Sequence, residues 1–288
     1  AAPRAAASLG VRATRRWRLG PVLLNMPPKR KASGSKAKAP AAKKQATSPE
    51  AAPAPAQASS PAKAAKPLSK LTPSDVWASP EYVHDQKMRQ DGYSALCKLL
   101  SLEEMSFEYI YLSFCLSGRR ETVDDVMVVC SSKHHLQVTI DSLGCRTMAD
   151  VPARLQQKCA ALRVDYGSGF TSLFRWLFEI GKALTALARE VDVTALRTVP
   201  VTEGLGLMDT VLSSWRLMPQ LKDFFANKYA QPFSKDLWMQ IGRFVNMTQT
   251  GRISADLSNY DDDDTGGGSA WPSAIDEFVE FVQAQNAS

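Results

Sequence analysis

From about residue 71 onward, apolar residues return every three or four positions in one segment after another, and that period sets the fold class. Tyr93, Leu96, Cys97 and Leu100 keep it, as do Val151, Leu155, Cys159 and Leu162, and then Phe170, Leu173, Leu177, Leu184 and Leu187. Leu221, Phe224, Phe225 and Lys228 follow, then Leu237, Trp238, Ile241, Phe244 and Val245, and finally Ile275, Phe278, Val279 and Val282. Met105 to Leu116 is apolar and aromatic nearly throughout. Each stripe covers one side of a helix and must be buried against a neighbour. Ser234 is suited to cap the helix that follows it, and Pro272 to the first turn of the last helix, where its missing N–H loses no partner. Only Val126-Met127-Val128-Val129 reads as a strand. The expectation is an all-α, multi-helix domain of seven or more short helices, and about 215 residues are ample for one core.

Residues 1–70 lack this period. They hold 10 of the 17 prolines, with 15 Lys+Arg against a single acid, Glu50, a balance of +14; the remaining 218 residues carry −8. Too little apolar surface is present to offset the ordering entropy, so this Lys/Ala/Pro-rich tail is expected to be disordered. Any affinity for polyanions must come from the tail, because the body repels them on net charge. Ala1 to Asn25 is Arg- and Ala-rich and free of acids, the composition of a mitochondrial transit peptide. Met26-Pro27-Pro28-Lys29-Arg30-Lys31 reads as a translation start, however, which makes residues 1–25 a candidate gene-model artefact. Lys29, Arg30, Lys31, Lys36, Lys38, Lys43 and Lys44 are spaced like a signal for a nuclear import receptor, and also like a solubilising tail with loose nucleic-acid affinity. No apolar run reaches the roughly 18 residues that a membrane-spanning helix needs.

The residue types of several chemistries occur without their spacing. Five cysteines, at 97, 115, 130, 145 and 159, are odd in number and widely separated, and most sit on apolar stripes as small hydrophobes. Cys115, Cys130, His134, His135 and Cys145 are zinc-ligand types, but only Cys130 and His134 stand close enough in sequence to make one half of a knuckle. The same residues offer a Cys–His nucleophilic pair with no orienting partner in view. Asp261 to Gly266 begins like a calcium loop, yet position 12 is Pro272 in place of the bidentate Glu, so a solvated acidic loop is the better reading. Gly-rich phosphate loops, HExxH, GxSxG and CxxC are absent, which points to an interaction protein that needs no cofactor.

The C-terminal segments DLSNYDDDD (residues 256–264) and GSAWPSAIDEFVEF (residues 268–281) closely resemble the signature that ends the defective-in-cullin-neddylation family, whose domain is called PONY or DCUN1. The similarity continues upstream through Ser234 to Trp238, Phe170 to Lys182, Asp141 to Cys145 and Met105 to Leu116, and covers roughly residues 78 to 284. It implies a helical fold of two EF-hand-like units that generally do not use calcium. It also implies a scaffold-type ligase role without an active site of its own. Such a protein joins a cullin's C-terminal winged-helix subdomain, with the cullin-bound RING protein, to the N-acetylated conjugating enzyme that carries the ubiquitin-like neddylation modifier. A basic tail stands here where other members carry a ubiquitin-binding module, and members with such tails are nuclear, which implies a nuclear protein with a cytoplasmic pool.

On the family's cullin-binding patch fall Asp236, Ala270 and Asp276. Without the resemblance, Asp236 and Asp276 read as carboxylates that complement helix dipoles. On its pocket for the acetylated methionine of the conjugating enzyme fall Tyr109, Leu112, Ser113, Phe178, Ile180, Leu207 and Val211, each of which also reads as core. The sequence departs from the family in three places. Arg119 to His135 is unlike the family's short polar loop and resembles an insertion or a translated intron beside the pocket wall. The loop Asp261 to Ser269 is longer and Gly-rich, so Ala270 is held less firmly. Leu207 and Met208 stand where aromatic residues are common. Two other classes compete: a chromatin- or nucleic-acid-associated protein acting through its tail, with a steep salt dependence, and a calcium-sensing helical protein.

Overall fold

A computed structural model describes residues 66–118, 127–260 and 271–286. Lys29, Arg30, Lys31, Lys43 and Lys44, Ala270, the run Asp261 to Asp264 and residues 119–126 lie outside the described residues. The apolar stripes form helices: α1 (Pro73–Ala78), α2 (Gln90–Leu99), α3 (Phe107–Leu116), α4 (Lys133–Ser142) and α5 (Val151–Val164). These are followed by α6 (Ser168–Arg189), α7 (Val201–Leu212), α8 (Met218–Asp223), α9 (Lys235–Gln249) and α10 (Ser273–Asn286). Several begin where a hydroxyl side chain satisfies an orphan N–H of the first turn. Ser106 accepts from Tyr109 at 3.2 Å, Ser132 from His135 at 3.2 Å and Ser234 from Leu237 at 3.1 Å, each worth about 1 kcal/mol. A reciprocal Thr72–Asp75 capping box starts α1, with Pro73 at its first position.

Among the described residues, four very short strands organise the helices into two units. In the first, β1 (Met88–Arg89) pairs antiparallel with β2 (Val128–Cys130) through Met88↔Cys130 and Arg89↔Val128. In the second, β3 (Thr198–Val199) pairs with β4 (Phe233–Ser234) through Thr198↔Ser234 and Val199↔Phe233. Each strand leads into a helix, respectively α2, α4, α7 and α9, and follows a helical segment, so each ladder ties two helix–loop–helix arms together as in an EF-hand pair. The expected strand is present but shifted to Val128–Cys130, because its hydrogen bonds are set by its partner Met88–Arg89. The other three strands carry no sequence signal: two residues are too few to display an alternating pattern.

α3 is buried over most of its surface, only Glu108 and Ser113 being half-buried, and is packed by α4, α5 and α6. The 22-residue α6 is the spine that joins the units, contacting α3, α7 and α9. The stripe on α6 keeps Phe170, Leu173 and Leu177 buried, whereas Leu187 is 42% exposed, because the helix has run past the core before it ends at the left-handed Glu190. Beyond α8 the helix widens into a π turn, Phe224–Tyr229, which lets the consecutive Phe224 and Phe225 both face the core while Lys228 stays exposed. The helical body also starts earlier than residue 78. Leu68–Lys70 forms a 3-10 turn against Met148–Asp150, and α1 packs on α4. No helix among the described residues is long and apolar enough to cross a membrane.

Candidate functional site

Two facing rows of side chains, each at helical i, i+4, i+8 spacing, build a cavity of about 70 Å³ between the units. Tyr109, Ser113 and Ser117 come from α3 and the turn after it, and Trp176, Ile180 and Leu184 come from α6. Leu207 of α7, Val128 and Val129 of β2, Ile110, and the rim residues Gln90, Glu104 and Met105 complete the wall. The space suits the end of one apolar side chain. Tyr109 is fixed from two directions. Its ring meets Tyr93 edge-on at 4.8 Å, and its hydroxyl accepts a hydrogen bond from Gln90 Nε2 at 2.6 Å. Burial pushes the Tyr109 hydroxyl up to about 12, so it stays neutral and polar at the cavity edge.

Of the seven residues that the resemblance assigns to an acetyl-methionine pocket, Tyr109, Ser113, Ile180 and Leu207 line this cavity. Leu112, Phe178 and Val211 do not: they are no more than 1% exposed and belong to the core behind it. Met208 is likewise core. Gln90, Met105, Ser117, Trp176 and Leu184 join the wall without having been expected there, although extending the four-residue rows from Tyr109 and Ile180 reaches Ser117, Trp176 and Leu184. Val128 and Val129, from the segment that departs most from the family, supply one wall.

The two carboxylates assigned to the cullin-binding patch stand at the starts of α9 and α10. Asp236 is exposed in the first turn of α9, and Asp276 is half-buried in the first turn of α10. A carboxylate there is favoured by the helix dipole by about 0.3–1 kcal/mol. Tyr260 donates its hydroxyl hydrogen to Asp276 Oδ1 at 2.6 Å, which fixes the carboxylate's direction. The Tyr260 ring is wedged against Phe244 and Trp271, and Arg243 lies 5.0 Å over the Trp271 ring. The residue following Ala270 is thus anchored on α9, about 10 Å along the helix from Asp236.

The start of α9 is held to α6. Trp238 Nε1 donates to the Phe174 carbonyl at 2.8 Å, and the buried Glu179 accepts from Lys235 at 2.9 Å and from Lys182 at 3.1 Å. Burial works to raise the Glu179 carboxyl, but the two lysines outweigh it and hold its pKa below the ordinary 4.5. A lone acid within an apolar run of α6 was the signal for this clamp. A depressed folded pKa stabilises fully above the unfolded value and is lost as pH falls through the folded one. Glu179→Gln is therefore expected to be less stable near pH 7 by about 1–3 kcal/mol. In urea unfolding, the gap to the parent should narrow once the pH drops below 4.5.

Cys97, Cys115, Cys130, Cys145 and Cys159 are buried and none is in a disulfide. Burial pushes Cys97 up to about 12 and Cys130 up to about 11 and raises Cys145 and Cys159, so these four are protonated at neutral pH and poor nucleophiles. His135 Nδ1 is paired with Ser131 Oγ at 3.1 Å. Among the described residues no group of three or more His, Cys, Asp or Glu gathers in a metal-binding arrangement. The structure thus brings together a small apolar cavity and places two carboxylates at helix starts.

Residues 150–281, which contain α5 to α9 and most of α10, match the family model described as Cullin binding. The chain is similar to DCN1-like protein 2 of Dictyostelium discoideum, 23% identical over 201 residues, covering 70% of this chain and 65% of that protein. It is 24% identical to DCN1-like protein 4 of Drosophila melanogaster over 198 residues, 68% of each chain. It is also 24% identical to DCN1-like protein 5 of Homo sapiens over 206 residues, 71% of this chain and 74% of that one. The acidic starts of α9 and α10 lie inside the matched segment. The helical body therefore carries a cullin-binding (PONY/DCUN1) domain, and the chain is a homologue of the DCN1-like proteins.

Proposed function

We propose that this protein is a scaffold-type co-ligase for cullin neddylation. The acidic face of Asp236 and Asp276, with Ala270, receives the basic surface of a cullin's C-terminal winged-helix subdomain. The cavity between α3 and α6 takes the N-acetylated methionine of the conjugating enzyme, and the cullin-bound RING protein completes the assembly. The observation that carries this reading is that the cullin-binding match spans both helix starts, where the structure fixes Asp276 through Tyr260 and the start of α9 through Glu179. The body's −8 charge suits a basic partner. No group of the chain makes or breaks a bond: the protein acts by holding the acceptor lysine and the thioester together, and proximity alone lowers a barrier by about 7–11 kcal/mol in the best-oriented cases. Lys29, Arg30, Lys31, Lys43 and Lys44 engage an import receptor and concentrate the protein in the nucleus, with a cytoplasmic pool.

The test is a single-turnover transfer assay with a cullin–RING complex and modifier-charged, N-acetylated conjugating enzyme, with and without the full chain. Strong acceleration is expected, and an unchanged rate overturns the reading. Deleting residues 26–70 should leave that acceleration intact while redistributing a tagged protein out of the nucleus.

A further inference from the structure

Trp176 has an indole N–H that the fold does not use. The residue is 3% exposed and lies in the cavity wall at the end of the α6 row, its ring 5.5 Å from Phe114. Its Nε1 is enclosed by protein and has no hydrogen-bond acceptor within reach. The other buried indoles behave differently: Trp215 donates to Thr248 Oγ1 at 2.9 Å and Trp238 to the Phe174 carbonyl at 2.8 Å. Leaving such a donor unpaired costs free energy, and a phenylalanine would fill an apolar wall without that cost. An indole nitrogen can only donate, so whatever completes it must bring an acceptor.

The geometry points to Trp176 as the residue by which the cavity recognises an N-terminal acyl group, its Nε1–H donating to the acyl carbonyl of the entering methionine. This rests on the cavity being the site for the acetylated N-terminus. An acetylated N-terminus is uncharged and offers a carbonyl oxygen. A free ammonium only donates, and it would lose its hydration against a wall whose one carboxylate, Glu104, is exposed at the rim. The N–H itself is the reporter of occupancy.

The experiment uses the full chain labelled with nitrogen-15 and three versions of one peptide beginning with methionine: N-acetyl, N-ethyl and free amine. The N-ethyl form keeps the size of the acyl group and lacks its carbonyl; being a secondary amine, it is compared at about pH 9, where it is largely uncharged. Trp176→Phe identifies the indole resonance by its loss. On adding the N-acetyl peptide that resonance is expected to move downfield, and the substitution to weaken N-acetyl binding about 5–10-fold with little change for N-ethyl. A stationary resonance with N-acetyl peptide bound, or equal losses for both peptides, leaves Trp176 a packing residue and overturns the inference while sparing the cavity's assignment. If no peptide binds, the cavity's assignment falls and this inference with it. Should Trp176→Phe not fold, the indole resonances of the unsubstituted chain, compared between N-acetyl and N-ethyl peptides, separate the same two outcomes.

Discussion

Asp276→Arg is expected to weaken binding of a cullin C-terminal domain by roughly 100-fold or more while leaving the helical circular dichroism unchanged. Asp276 is half-buried in the first turn of α10, and its carboxylate is pinned by Tyr260 at 2.6 Å. An arginine there faces a basic partner with like charge, opposes the positive end of the α10 dipole and removes the hydrogen bond from Tyr260. The fold survives because the packing of this region comes from Phe244, Phe278 and Trp271, none of which the substitution alters. Tyr260→Phe supplies the graded version. It keeps the ring against Phe244 and Trp271 but frees the carboxylate, and should cost about fivefold in affinity. Isothermal titration with the cullin domain measures both; unchanged affinity for Asp276→Arg would remove Asp276 from the interface.

Ser113→Phe is expected to abolish binding of the N-acetylated peptide, a loss of roughly 50-fold or more, with cullin affinity untouched. Ser113 is half-buried in the middle of the α3 row, and an aromatic ring there fills a cavity of about 70 Å³ from inside. The position lies in α3, outside the segment that matches the cullin-binding family, so the acidic face is unaffected. In the transfer assay this variant should bind cullin yet fail to accelerate transfer. Retained peptide binding would place the acetyl-methionine elsewhere. The two substitutions separate the two partners of the proposed function.

The helices were legible because a 3.6-residue period is a local property. Tyr93 to Leu100 and Leu237 to Val245 announce their buried faces without reference to any other part of the chain, and Ser234 marks where α9 begins. The C-terminal signature was legible for a similar reason, being a contiguous string. Strand pairs of two residues were not, since Thr198–Val199 becomes a strand only when Phe233–Ser234 lies beside it. The cavity was half legible. Leu112 and Ser113 are adjacent in sequence and both fit a partly apolar helix, but one faces the core and the other the cavity, depending on how α3 is rotated against α6.

Local sequence is enough to establish that the body is helical, where its helices start, that its charge is negative while its tail is positive, and which carboxylates open α9 and α10. Packing between distant segments decides which apolar residues wall a cavity and which fill the core. It also decides that Glu179 clamps Lys235, that Tyr260 holds Asp276, and that Trp176 is left with an unused donor. The physical reason is range: periodicity and capping act within a few residues, whereas a cavity or a buried ion pair exists only between segments that packing brings together from distant parts of the chain.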